Sequence, residues 1–182
     1  MNDSATPMKS RAAELRCSFD QAFSRPPGAE TERSVDLLSI RVNGEPWALR
    51  LSEVAGLFAG RRITPAPSGD PNMLGLVGLR GGVHPVYSLR GLLGYSPGDA
   101  PRWMVLVRAG DPVALAFDAY EGHQSVSAGH LVPAPEGSRA HVREIVQGLD
   151  VPRPVLAISS LTEAIKRRSR PAPVHGELTH EP

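Results

Sequence analysis

The sequence predicts a mainly β fold, built as two small closed barrels related by internal duplication and carrying short helices. Three observations lead there. Apolar and polar side chains alternate over short stretches bounded by Gly, Pro, Asn or Asp, the pattern of half-buried strands joined by tight turns. The 182 residues include 18 Gly and 18 Pro with only 5% aromatics, which suits many short strands better than long helices. The second half of this pattern also repeats the first. Asn43-Gly44-Glu45-Pro46-Trp47-Ala48-Leu49-Arg50-Leu51 lies over Ala109-Gly110-Asp111-Pro112-Val113-Ala114-Leu115-Ala116-Phe117, a shift of 66 residues. Pro65-Ala66-Pro67 answers Pro133-Ala134-Pro135, Gly78-Leu79 answers Gly148-Leu149, Pro85-Val86 answers Pro154-Val155, and Leu89 and Leu92 answer Ile158 and Leu161. Self-similarity at this length means two copies of one supersecondary unit. Each copy offers about five short strands, a set that closes into a barrel and leaves no long exposed edge. Cores this small are marginal alone, so the two barrels should depend on packing together, with a groove between them.

Residues 1–34 read as an extension. Thr6-Pro7 starts a short amphipathic helix with Leu15, Phe19 and Phe23 on one face, Pro26-Pro27-Gly28 ends it, and a polar linker follows. The double-barrel region is 35–168, in two interleaved or adjacent subdomains with a boundary near 96–101. Leu38, Ile40 and Val42 form one apolar face, Asn43-Gly44 turns the chain, and Trp47, Leu49 and Leu51 resume that face. Ser52 can cap one helical turn through Val54 and Leu57, and a weaker strand runs from Arg61 to Thr64. Leu74–Leu79 and Val83–Tyr87 form a second hairpin about Gly81-Gly82, with Arg80 as the last residue before the turn; Leu89, Leu92 and Leu93 then take helical spacing. Leu161–Arg168 is a helix ending on cations that suit its dipole. Residues 169–182 should be disordered.

The formal net charge is +1, with 20 Lys+Arg against 19 Asp+Glu, which argues against nucleic acid as the main partner. One cysteine, Cys17, fits a reducing compartment. No apolar run approaches the ~20 residues of a membrane span, and the first residues lack a signal-peptide core, so a cytoplasmic protein is expected, touching membranes only indirectly through a partner. Catalytic and cofactor signals are sparse. Gly94-Tyr95-Ser96-Pro97-Gly98 satisfies G-x-S-x-G, but a nucleophile elbow needs an N–H on the residue after the serine, and Pro97 has none. His123, His130 and His141 lack metal-ligand spacing, and Asp118 reads as a turn cap.

Gly75-Leu76-Val77-Gly78-Leu79-Arg80-Gly81 followed by Pro85-Val86-Tyr87-Ser88-Leu89-Arg90, then Ala116-Phe117-Asp118 and Leu131-Val132-Pro133-Ala134-Pro135, resembles the CheW family of bacterial chemotaxis coupling proteins over roughly Val35 to Arg167. The resemblance implies two SH3-like five-stranded barrels. It also implies a non-catalytic adaptor, without cofactor, that joins the cytoplasmic tip of a chemoreceptor (a methyl-accepting protein) to the regulatory domain of a CheA-type histidine kinase. Position by position, it puts receptor contact on Arg80, on Val54 of a short helix, on Gly56, and on Arg102 and Trp103. Kinase contact falls on Asn43, Gly44 and Glu45. This chain departs from the family at Gly56, where an acid is usual, at Gly78, where Asn is frequent, and at Ser88, where Asp is usual. Those departures leave a second reading, a divergent CheW-like module that engages a different partner.

Overall fold

The computed structural model describes residues 34–169 except 109, 111, 149 and 150. The expected helix through Leu15, Phe19 and Phe23 and the tail beyond Ser169 lie outside these residues. The strands, in chain order, are β1 (Ser34–Val42), β2 (Glu45–Arg50), β3 (Val54–Ala59), β4 (Met73–Leu79), β5 (Gly82–Ser88), β6 (Trp103–Val107), β7 (Ala114–Phe117), β8 (Ala119–Ser127), β9 (Leu131–Pro133), β10 (Val142–Val146) and β11 (Arg153–Leu156). A helical turn α1 (Leu89–Leu92) follows β5, and a longer helix α2 (Ile158–Ser169) follows β11. The fold is mainly β, as the alternation predicts.

Two sheets form, and each draws on both sequence copies. The six-stranded sheet runs β8-β1-β2-β11-β10-β9 and the five-stranded sheet β3-β6-β7-β5-β4. The chain changes sheet at the 3₁₀ turn Leu51–Glu53 and again at Asp118. The segment between α1 and β6 joins strands of one sheet. Exchange of copies is visible in the register. Val155 pairs in parallel with Ala48, and Val86 pairs in parallel with Ala114, so the same two repeat positions meet in both sheets with the copies swapped. The sixth strand, β9, has its counterpart in the other sheet as a single bridge between Thr64 and Leu76, which is all that forms of the strand expected from Arg61 to Thr64. Thr64 passes so close that a Cβ on Gly75 would lie 2.2 Å from its carbonyl oxygen, so only glycine fits there.

Both hairpins turn on two residues with positive φ: Asn43 and Gly44 at +54° and +75°, Arg80 and Gly81 at +49° and +80°. This is the mirror-image turn whose twist matches the flanking strands. The second turn is therefore Arg80-Gly81, one residue earlier than the sequence suggests, because Gly82 extends the strand by pairing with Leu79. Ser88 caps α1, its Oγ accepting from Gly91 N–H at 3.3 Å. A serine does there what an aspartate would do, which accounts for one departure from the family pattern.

The largest apolar cluster lies between the sheets. Leu38, Ile40, Val42, Trp47 and Leu49 from one sheet meet Val54, Val105, Leu115 and Phe117 from the other, with Ile158, Leu161 and Ile165 of α2 packed beside them. Smaller clusters fill the barrel interiors, one around Val77, Val86 and Met104, the other around Leu37, Val146 and Val155. Leu37 faces one cluster and Leu38 the next because successive strand residues point to opposite faces.

Candidate functional site

The surface separates into two chemically different ends. At the first hairpin several polar groups are tied down. Asn43 N–H donates to Asp118 Oδ2 at 2.6 Å, and Arg90 Nη2 holds the same oxygen at 3.1 Å. Arg41 Nη1 donates to the Gly44 carbonyl at 2.7 Å while its Nε binds Glu121 at 2.5 Å, and Arg153 grips the other Glu121 oxygen at 2.7 Å. Burial pushes the Glu121 carboxyl up, but the hydrogen bonds from Arg153 and Arg41 outweigh it and hold it below its ordinary value. Glu45 accepts from Tyr95 Oη at 2.8 Å and from both terminal nitrogens of Arg139, whose guanidinium lies 5.4 Å from the Tyr95 ring centre and 5.9 Å from that of Trp47. The result is an exposed turn whose backbone and carboxylate are fixed before any partner arrives.

The Arg139 hydrogen bond and then that of Tyr95 hold the Glu45 carboxyl below its ordinary value of 4.5. A carboxyl with a depressed folded pKa contributes stability that is present above the unfolded value and is lost as pH falls through the folded one. Glu45→Gln should therefore lower the melting temperature at pH 7, and the gap to the parent should narrow as pH falls below the ordinary value of 4.5 and through the lower folded one. The effect is small because the carboxylate is partly exposed and screened. Equal differences in thermal melts at pH 7 and pH 3.5 would show that the charge contributes nothing.

On the β4–β5 hairpin Arg80 has no anionic partner among the described residues. Arg80 occupies the tip of the β4–β5 hairpin in a left-handed conformation, exposed, with no ion pair or hydrogen bond from its guanidinium among the described residues. Its side chain crosses to β3, so the two edge strands of the five-stranded sheet are spanned by one arginine. A Cβ placed on Gly56 would meet Arg80 Nη2 at 3.1 Å and the Phe58 ring at 3.0 Å. The room that a side chain at position 56 would need is thus occupied by Arg80 and Phe58.

The other residues expected at the receptor surface are placed differently. Val54 is not on a helix: the helical turn is Leu51–Glu53, and Val54 opens β3 with its side chain 3% exposed, packed in the inter-sheet core. It shapes the surface from beneath. Trp103 pairs with Ala59 while Gly56 pairs with Leu106, which puts Trp103 about 10 Å farther along the strands. There its ring meets Tyr120 of β8 at 5.3 Å, on the seam between the sheets. Arg102 is exposed, and its carbonyl accepts from Gly60 N–H at 2.9 Å. Gly78 is exposed with open space around it, and Val83, its cross-strand partner, is 72% exposed. The structure brings Arg80, Gly56 and Phe58 together and leaves Arg102 and Trp103 at the far end of the same edge. Phe58, Tyr95, Arg90 and Arg139 carry no local sequence signal; Arg139 lies 94 residues from the carboxylate it holds.

A cleft of about 480 Å³ opens beside the Tyr95 loop, lined by Ile63, Leu74, Ser88, Arg90, Pro97 and Asp118. Ser96 is not among its lining residues and stands on the irregular connection after α1, with no strand-to-helix turn to present it. Among the described residues no cluster of His, Cys, Asp or Glu is arranged to hold a metal ion, and no helix is long and apolar enough to cross a membrane.

Comparison with known proteins gives one family. Residues 36–162 match the CheW-like domain. The chain is 26% identical over 117 residues to the "Probable chemotaxis protein CheW" of Rhizobium etli, covering 63% of this chain and 76% of that one. To the "Chemotaxis protein CheW" of Bacillus subtilis it is 27% identical over 112 residues, 60% of this chain and 72% of the relative. Among solved structures, the scaffolding protein TtCheW of Thermoanaerobacter tengcongensis superimposes with a TM-score of 0.64 at 19% identity, over 69% of this chain and 90% of that one, and so shares the fold.

Proposed function

Because the chain belongs to the family of CheW-like domains, we propose that it is a non-catalytic adaptor that couples a chemoreceptor to a CheA-type histidine kinase in a chemosensory complex. Its curated relatives are named as chemotaxis proteins, and the structural neighbour TtCheW as a scaffolding protein. The observation that best supports the finer reading is the contrast between the two ends. Unpaired arginine at the Arg80 tip suits an anionic partner, while the braced turn at Asn43, Gly44 and Glu45 suits a rigid shape-matched contact with a kinase domain. One shared core joins the ends, so occupying both raises the local concentration of kinase at the receptor and can bias the kinase between states, with no bond made or broken.

The test is reconstitution of receptor cytoplasmic fragments on vesicles with the kinase from the same cell. Kinase should sediment with the receptor, and change its autophosphorylation rate, only when this chain is added. A chain that binds kinase but not receptor would move the assignment to a module serving a different partner, as the glycine at position 56 would allow. Binding to neither would remove the adaptor reading.

A further inference from the structure

We infer that the cleft beside the Tyr95 loop is a binding site for a small uncharged molecule carrying a carboxamide, and that its occupation is felt at the Asn43–Glu45 turn. The cleft lies away from the Arg80 tip: β5 starts beside that tip and ends at Ser88, in the cleft lining, about 20 Å along the strand. Its volume of about 480 Å³ falls within the range of small-ligand pockets, about 300–1,000 Å³. The wall is largely apolar, with Ile63, Leu74, Ala116 and Pro101, and the Arg90–Asp118 ion pair lines it too. An apolar chamber with a few convergent polar groups is the usual build of a site for a small molecule.

The ion pair selects the head group. Its side chains stay 22% and 29% exposed, so a ligand can reach them. Of the Arg90 guanidinium only Nη2 hydrogen-bonds, to Asp118 Oδ2 at 3.1 Å, while Nε is buried without a partner among the described residues. A guanidinium offers only donors and a carboxylate only acceptors, so the pair sets the two side by side. A primary amide mirrors that arrangement, its oxygen accepting from Arg90 and its NH₂ donating to Asp118. A charged head would shed water to meet a pair that is already neutral, which disfavours carboxylates and ammonium ions alike.

Two braces of the first hairpin also line this cleft. Asp118 Oδ2, which holds Arg90, accepts from Asn43 N–H at 2.6 Å as well, and Tyr95 donates through Oη to Glu45 at 2.8 Å. A ligand that bonds to Arg90 and Asp118 redistributes the hydrogen bonds on that shared oxygen, and the Asn43 amide registers the change. The inference rests on the kinase reading only in what the turn goes on to contact.

Phenylacetamide, phenylacetate and phenethylamine have nearly one shape and three different charges, and backbone amide NMR on the full chain tells them apart. Phenylacetamide should bind with a roughly millimolar Kd, as suits so few atoms, and shift the amides of Leu74, Arg90, Ala116 and Asp118. The Asn43 and Glu45 amides should move along the same titration curve. Both charged analogues should bind at least about fivefold more weakly. Ala100→Trp, at an exposed position of the lining loop, should lower phenylacetamide affinity about tenfold by filling the cleft mouth. Arg90→Lys keeps the charge and loses the fork, and should cost about fivefold, with circular dichroism melts confirming that both variants fold. Equal binding of the three probes, shifts confined to other surfaces, or full affinity in Ala100→Trp would overturn the site. Saturation that leaves Asn43 unmoved would overturn the coupling. Shifts at Asn43 in a chain that fails to sediment kinase with receptor would remove the kinase reading and leave the cleft site standing. Kinase sedimentation by a chain that binds none of the probes does the reverse.

Discussion

Phe117→Ala should destabilise the whole molecule by about 3–5 kcal/mol, the usual cost of emptying a fully buried aromatic site. Phe117 is 0% exposed at the end of β7 and belongs to the cluster that also contains Trp47 and Leu49 of the opposite sheet. Its loss therefore opens a cavity against both sheets at once. Domains of this size are stable by roughly 5–15 kcal/mol, so the mutation removes about a fifth of the margin or more. Urea denaturation should show one transition, moved to lower denaturant and monitored equally by far-ultraviolet dichroism and by tryptophan fluorescence. Val146→Ala, which empties a smaller site inside one barrel, should cost less than half as much. Two separated transitions in the Phe117→Ala protein would mean that each sheet holds itself together, and the common core would lose its role.

The prediction follows from a feature that the sequence half reveals. Period-two alternation locates β1 and β2 because one face of each is buried in the inter-sheet cluster, apolar runs locate β4 and β5, whose Val77, Leu79 and Val86 lie in a barrel interior, and the repeat registers Ala48 with Ala114 and Val86 with Val155. What alternation cannot reveal is which copy a strand pairs with, since a strand carries the same inward face whether its neighbours come from its own repeat or from the other. The exchange takes place across the three-residue connector Leu51–Glu53 and the single residue Asp118, and neither is recognisable as a connector until the strand ends are known. Val54 goes wrong for the same reason. Ser52 caps nothing here: it lies inside the turn Leu51–Glu53, whose N-cap position is Arg50 without a side-chain cap hydrogen bond, and pairing with Val107 draws Val54 into β3.

The candidate sites divide in a similar way. Arg80 and the Asn43-Gly44-Glu45 turn stand out because turn chemistry marks positions in sequence. The groups that fix or fill those positions do not. Arg139 reaches Glu45 from a distant loop, and Asp118 supports Asn43 from the other end of the sequence repeat. Contacts that depend on tertiary placement leave no periodic trace. Gly56 is the instructive intermediate: the sequence shows an acid missing there, and only the structure shows that Arg80 occupies the place.

Arg80→Glu should reduce affinity for the receptor by roughly a hundredfold or more. It removes a charge-assisted hydrogen bond and sets a like charge against the partner's anion, each worth on the order of 1.5–3 kcal/mol. Stability should hardly change, because Arg80 is exposed and makes no ion pair among the described residues. Unchanged receptor affinity would take Arg80 out of the site. A companion variant tells recognition from architecture. Arg80 adopts φ +49°, a left-handed conformation costing an L residue about 1–2 kcal/mol, whereas glycine adopts it freely and forfeits about 0.5–1 kcal/mol of backbone entropy. Arg80→Gly should thus melt at the same temperature as the parent or slightly above it, and still fail to hold the receptor. A hairpin selected only for stability would carry Gly, Asn or Asp at this position, as the first hairpin carries Asn43. The chain keeps a strained arginine instead, and strain held at an exposed tip is the pattern of a residue retained for what it contacts. If Arg80→Gly bound the receptor as the parent does, the strain would have no functional return, and the tip would be only a turn.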